Sequence, residues 1–341
     1  LAASFSFDSG SDTVSVSVRI LTENRDAAVD LLHQALVSPR FDQAAVDRVR
    51  EQVLTGLRSD EKDPEALAPQ RFDALAFGEH PYATPGEGTL DSVAALTRDD
   101  ILAAHKGALA RDRIFVAAAG DISAADLATL LDRLFDGLPE TGAPLPADAP
   151  WLLQPGVTVV DFPSPQSVVY FGHKGIARDD PDFFAAYILN EAMGGGRFSA
   201  RLMTEVREKR GLTYGIGSYL VPMDHAALYL GQFSASNDKV AQAIQVLRDE
   251  WARIGAEGLT EEELATTKTY LTGSYPLRFD GNGPIASILV GMQMQGLPID
   301  YAVTRNDRIN AVTMADIQRV AKRLYQPDAL HFVVVGQPSG L

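Results

Sequence analysis

No cysteine occurs in this sequence, which removes disulfides, a thiolate nucleophile and cysteine-ligated zinc in one stroke. Basic residues are in short supply: 30 Lys and Arg stand against 45 Asp and Glu, a formal charge of −15. Phosphate binding needs a basic face, so nucleic acid is excluded as a partner class. Long apolar runs are also lacking. The best stretch, 285–292, falls far short of the ~18 residues that a membrane-spanning helix requires. The opening LAASFSFDSGSDT has neither the charged start nor the apolar core of a signal peptide. Neither G-x-x-x-x-G-K-[ST] nor G-x-S-x-G is present, and GNGPIA at 281–286 has dinucleotide-fingerprint spacing without a preceding strand. Of the six histidines, no two lie at the spacing of a helical zinc pair; His33 and His105 read as helix-face residues and His331 as a structural residue of the last strand.

What remains is a globular composition. Hydrophobic residues make up 46% and charged residues 22% of 341 positions, enough for real cores and too long for one ordinary domain. The acidic excess serves solubility, or draws cationic peptides.

An internal repeat organises the chain. LTRDDILAAHKGALARDRIFVAAAG, from Leu96, aligns without a gap with VTMADIQRVAKRLYQPDALHFVVVG, from Val312. Thr97, Asp100, Ile101, Lys106, Asp112 and Gly120 meet Thr313, Asp316, Ile317, Lys322, Asp328 and Gly336. Each copy reads as a Thr N-cap, an amphipathic helix, a short turn and a buried strand, at 114–119 and 330–335. Upstream the order persists. Strand 12–21 and helices 24–36 and 42–60 correspond to strand 226–233 and helices 238–254 and 260–275. The expected division is a first domain over 1–137, a Pro-rich semi-rigid linker over 138–155 and a second domain over 156–341. The second copy carries additional strands at 157–161 and 167–171, a helix at 182–193 and a further helix from Ser199. By the repeat, the first copy is short of roughly sixty residues at its front, the counterpart of helix 182–193 among them.

LMTEVREKRGLTYGIGSYL, from Leu202, carries the chain's one segment with chemical promise. It passes from a helix end through Gly211 into an alternating strand near Tyr214. Arg207 and Tyr214 flank that turn. A guanidinium fork can hold a peptide carbonyl, and a phenol can donate to a developing oxyanion. Taken by themselves, the two also read as a surface Arg and a half-buried strand Tyr. Gly194, Gly195 and Gly196 follow a helix, where they can serve as a helix stop that permits close backbone approach.

GGGRFSARLMTEVREKRGLTYGIGSY resembles the second-domain signature of the pitrilysin/insulinase-type zinc peptidases, in the branch that includes the mitochondrial processing peptidases. GEHPYATPGEGTLDSV, from Gly78, is similar to the family's Gly-x-His-Pro-Tyr segment, and GDIS, from Gly120, to its strand-end turn. The resemblance implies an α+β chain of two duplicated α/β domains, each a mixed sheet covered by helices, with the first incomplete at its N-terminus. It implies that Arg207 and Tyr214 reach an active site, and that Gly194, Gly195, Gly196 and Phe198 contact substrate. The family's catalytic helix, H-x-x-E-H, is not in the sequence. The downstream helix normally shows two Glu seven residues apart, the later one a zinc ligand; Val49 and Gly56 hold those positions here. Neither can ligate or support a metal. No metal is therefore expected on this chain. The resemblance instead implies a non-catalytic subunit that binds extended peptides, beside an H-x-x-E-H-bearing partner, or a second copy, that carries the zinc. Two alternatives stand beside it: a zinc metalloendopeptidase whose H-x-x-E-H segment is absent from this chain, and a structural subunit of the respiratory-complex core type without proteolytic role. The expected compartment is the periplasm, with the cytoplasm as alternative.

Overall fold

The computed structural model describes residues 2–341. In chain order the elements are strands β1 (Ser4–Ser9) and β2 (Val14–Arg19), then helices α1 (Arg25–Val37), α2 (Gln43–Asp60), α3 (Pro64–Phe77), α4 (Leu90–Ala95), α5 (Arg98–Ala108) and α6 (Ala124–Leu134). There follow β3 (Gly156–Asp161), β4 (Gln166–Lys174), α7 (Phe183–Met193), a π-helical turn (Met203–Glu208), β5 (Ile216–Pro222), β6 (Ala227–Ser236), α8 (Val240–Glu257), α9 (Glu261–Ser274), α10 (Asn282–Met294), α11 (Tyr301–Ala311), α12 (Met314–Leu324) and β7 (His331–Gly336). No helix among the described residues is long and apolar enough to cross a membrane.

Two compact units form, and they interleave in sequence. One comprises 1–57, 86–146 and 275–301; the other comprises 58–85, 147–274 and 302–341. The repeat divides the chain at 137 and 156 by internal likeness, whereas packing assigns α3 and the end of the Pro-rich segment to the second unit. That segment does not behave as a free spacer beyond residue 147. Ala149 N donates to His225 O (2.9 Å) and Leu152 N to Ala76 O (2.9 Å), while Trp151 packs edge-on against Phe77.

The second unit is built on a five-stranded mixed sheet in the order β3-β7-β4-β6-β5, with β3 and β7 parallel and the other pairs antiparallel. β7 and β4 are buried on both faces, which is why they read as continuous apolar runs. Val169, Phe171, Phe332 and Val334 face the large core with Trp251 of α8 and Ile317 of α12. Val168, Tyr170, Val333 and Val335 face Phe72 and Phe77 of α3. In the first unit, β1 and β2 pair as a hairpin, and α1 packs on α6 through Val29, Leu32, Leu36 and Leu134.

Three expectations are corrected. Segment 114–119 forms no strand. Its counterpart β7 is hydrogen-bonded on both sides, by β3 and β4, whereas 114–119 has no strand neighbour among the described residues. The helix expected from Ser199 is largely a π-helical turn over Met203–Glu208. The strand near Tyr214 begins at Ile216, because Thr213 is tied into a turn.

Candidate functional site

The π-helical turn sets the geometry around Arg207. Its wider hydrogen-bonded rings, Lys209 N to Thr204 O (3.0 Å) among them, bury Glu205 and Val206 and leave Arg207 on the surface. Glu205 occupies the neighbouring cations. It accepts from Lys209 (2.7 Å) and Arg210 (2.8 Å), and these contacts, the lysine bond foremost, hold its carboxyl below the usual range. Arg207 has no acidic partner among the described residues. Its guanidinium lies 5.1 Å from the ring centroid of Phe198, which is itself 72% exposed.

Gly211, at φ +59°, then turns the chain in the left-handed region that favours glycine. Leu212 is buried, and the Thr213 hydroxyl donates to Ser234 O (2.7 Å) and accepts from Gly215 N (3.1 Å). Pinning Thr213 against β6 leaves the next side chain to point outward. Tyr214 is 88% exposed, and its hydroxyl makes no hydrogen bond among the described residues. Arg207 and Tyr214 line one groove of about 470 Å³, together with Gln166, Ser236 and Lys239. Tyr214 also lines a second groove of about 410 Å³ that runs toward α3.

The glycines divide into two kinds. Gly194 and Gly195 are buried at the end of α7. Gly194 O accepts from Ser218 N (2.8 Å), and a Cβ on Gly194 would stand 2.2 Å from Ser218 Oγ. A Cβ on Gly195 would meet the Glu191 carboxylate at 2.6 Å. Their want of a side chain lets the loop lie against β5. Gly196 is exposed with open space around it and leads into Phe198. The structure thus gathers Arg207, Phe198 and Tyr214 at one surface, with Gly194 and Gly195 beneath.

Several residues that support this surface went unnoticed in the sequence. Arg197 pairs with Glu191 (3.1 Å) and donates to Thr267 Oγ1 (3.1 Å), fixing the glycine loop to α7 and α9. Ser218 Oγ donates to Asn190 Oδ1 (3.0 Å). Asp73, Tyr170 and Tyr219 come together behind the second groove. The only hint of them was the i, i+4, i+8 spacing of Glu65, Pro69 and Asp73 on one stripe of α3.

The metal question is answered by donor chemistry. Val49 is 48% exposed on α2, and nothing lies within 4 Å of a Cβ built on Gly56. Among the described residues no group of three His, Asp or Glu side chains is placed to hold a metal. The residues present at those two positions do not fit a zinc ion.

Comparison with known proteins closes the matter of kinship. An uncharacterized zinc protease of Streptomyces coelicolor is 28% identical over 89% of this chain and 68% of its own. A non-peptidase homolog of Helicobacter pylori is 24% identical over 98% of this chain and 77% of its own. A probable mitochondrial-processing peptidase subunit beta of Schizosaccharomyces pombe is 25% identical over 92% and 71%. The crystal structure of a peptidase M16 inactive domain from Pseudomonas fluorescens superposes with a TM-score of 0.93 at 28% identity, covering 99% of this chain and 81% of that one. Residues 95–271 match the family model described as the peptidase M16 inactive domain, and the chain belongs to the peptidase M16 family.

Proposed function

We propose that this chain is the non-catalytic subunit of a two-subunit zinc metallopeptidase, binding extended peptides and presenting Arg207 and Tyr214 to the active site of a partner. One observation carries the reading: an exposed phenol without a hydrogen bond and an exposed guanidinium without an acid share one groove, and neither is needed to hold the fold. Tyr214 donates its hydroxyl to the scissile carbonyl oxygen as negative charge develops there, a contribution of roughly 3–4 kcal/mol by analogy with other oxyanion donors. Arg207, steadied on the Phe198 ring, holds a peptide carbonyl and fixes the register of the chain. The metal and the water-activating Glu belong to the partner, an H-x-x-E-H-bearing subunit or a second copy of this chain. The match to an inactive domain and the kinship with a processing-peptidase subunit support this reading. The proposed compartment is the periplasm.

The test is peptide hydrolysis by the mixed subunits. Tyr214→Phe should lower kcat about 10²–10³-fold with little change in KM, and an unchanged kcat sinks the proposal. Arg207→Ala should raise KM. A second reading draws on the zinc protease relative: a catalytic peptidase in its own right. One equivalent of zinc in the intact protein, with hydrolysis in the absence of any partner, would favour that reading.

A further inference from the structure

The second groove, on the α3 side of Tyr214, has a chemistry of its own. Its lining includes Glu65 and Pro69 of α3, Tyr170 of β4, Tyr214, Tyr219 of β5 and Gln232 of β6, and no Lys or Arg is among its lining residues. Glu65, Pro69 and Asp73 succeed one another a helical turn apart, so one stripe of α3 carries two carboxyls along the groove. Glu65 stands in the first turn of α3, where an acid is at home for local reasons. Asp73 has no such excuse. It sits in the third turn, three-quarters buried, with no hydrogen bond or ion pair among the described residues, and burial pushes its carboxyl up to about 7. The phenols of Tyr170 and Tyr219 adjoin it. Both are pushed up chiefly by burial, and the nearby Asp73 charge adds to the shift.

A buried acid without a counter-ion is a standing debt of several kcal/mol in the general case. A cation brought into the groove would settle it, and aromatic faces hold cations well. The groove joins the Arg207 surface at Tyr214, so a peptide held at Tyr214 can send a neighbouring side chain into it.

We infer that this groove is a subsite for a lysine or arginine side chain of an extended peptide, held by Glu65 and Asp73 and flanked by Tyr170, Tyr214 and Tyr219. The inference rests on the peptide-binding reading above and names its substrate class: peptides with a basic residue close to the carbonyl that Tyr214 engages. The net charge of −15 draws such peptides toward the chain from a distance.

The test uses the full chain without a partner. Fluorescein-labelled ten-residue Ala/Ser peptides carry one lysine, arginine, norleucine or glutamate, and Kd is read by anisotropy at 50 mM and 300 mM salt. The lysine and arginine peptides should bind about tenfold more tightly than the norleucine peptide at low salt. Glu65→Gln, an exposed change that leaves the fold intact, should cut that ratio to about threefold, and Asp73→Asn should reduce it further. Equal Kd for all four peptides, no measurable binding, or a preference unmoved by either substitution overturns the subsite. Failure here leaves the Tyr214→Phe effect on kcat intact, whereas failure of the Tyr214 test leaves a cation preference measurable on the chain alone.

Discussion

The two copies of the repeat obey the same local rules and meet different fates. At the head of α5, Thr97 N donates to Asp100 Oδ2 (2.8 Å), and Asp100 N donates to Thr97 Oγ1 (3.2 Å). At the head of α12 the matching bonds are 2.9 Å and 3.2 Å, between Thr313 and Asp316. Both are reciprocal capping boxes, and both hold the acid below its usual pKa through the Thr bonds, Asp316 at about 2. Beyond the cap the copies part. α12 buries Ile317, Val320, Ala321 and Leu324, whereas α5 buries nothing. The strand after α12 is wholly buried, and the segment after α5 is no strand and leaves Phe115 half exposed. Hydrogen bonds spanning three residues are written into the local sequence. A strand is a property of its neighbours.

The largest test of that contrast is in the core. Phe332→Ala removes a ring that stacks on Phe171 and should lower stability by about 3–5 kcal/mol in urea denaturation followed through Trp251. The aligned Val116→Ala should shift it by well under ~1 kcal/mol; equal losses would break the comparison. Asp73 and Asp100 offer a second contrast, since burial raises the first to about 7 while Thr97 lowers the second. Asp73 keeps its proton in the folded state to higher pH than in the unfolded chain, so its contribution falls away as pH rises from about 4 to about 7. Asp73→Asn should therefore raise stability at pH 8 relative to pH 4, by ~2–4 kcal/mol, and a pH-independent effect would contradict the assignment.

A smaller effect is expected at His173. Its Nδ1 bonds to Lys174 O (2.8 Å), its Nε2 is buried without a partner, and burial holds its pKa below the usual value against the opposing pull of the Lys174 bond. The unfolded chain takes up the proton first. Stability present above pH ~6.5 is thus lost as the pH falls, and His173→Phe should flatten that decline. Smallest of all are the caps. Thr313→Ala should cost about 1 kcal/mol, and Thr97→Ala should speed amide exchange in its first turn to the same degree. Unequal effects on the two first turns would show that the matched boxes are not matched in strength.

The sequence was legible where local chemistry decides. Both capping boxes, helices α1, α2, α8 and α9 to within a few residues, and the apolar run of β7 could all be read from spacing. Gly211 marked its turn, and Val49 and Gly56 declared themselves unfit for zinc. Tertiary structure decided the rest. The sequence of 114–119 resembles a buried strand, yet a strand needs hydrogen-bonding partners that no propensity supplies. The π-helical turn that exposes Arg207 depends on burying Val206 and neutralising Glu205, contacts made across the fold. α3 stands in the first half of the sequence and closes the back of the second unit's sheet, and this placement alone turns Glu65, Asp73, Tyr170 and Tyr219 from scattered residues into a groove. The sequence by itself determined turns, caps and the order of elements, because those interactions close over a few residues. Which faces are buried, which strands exist and which side chains meet were decided by contacts between residues far apart in the chain.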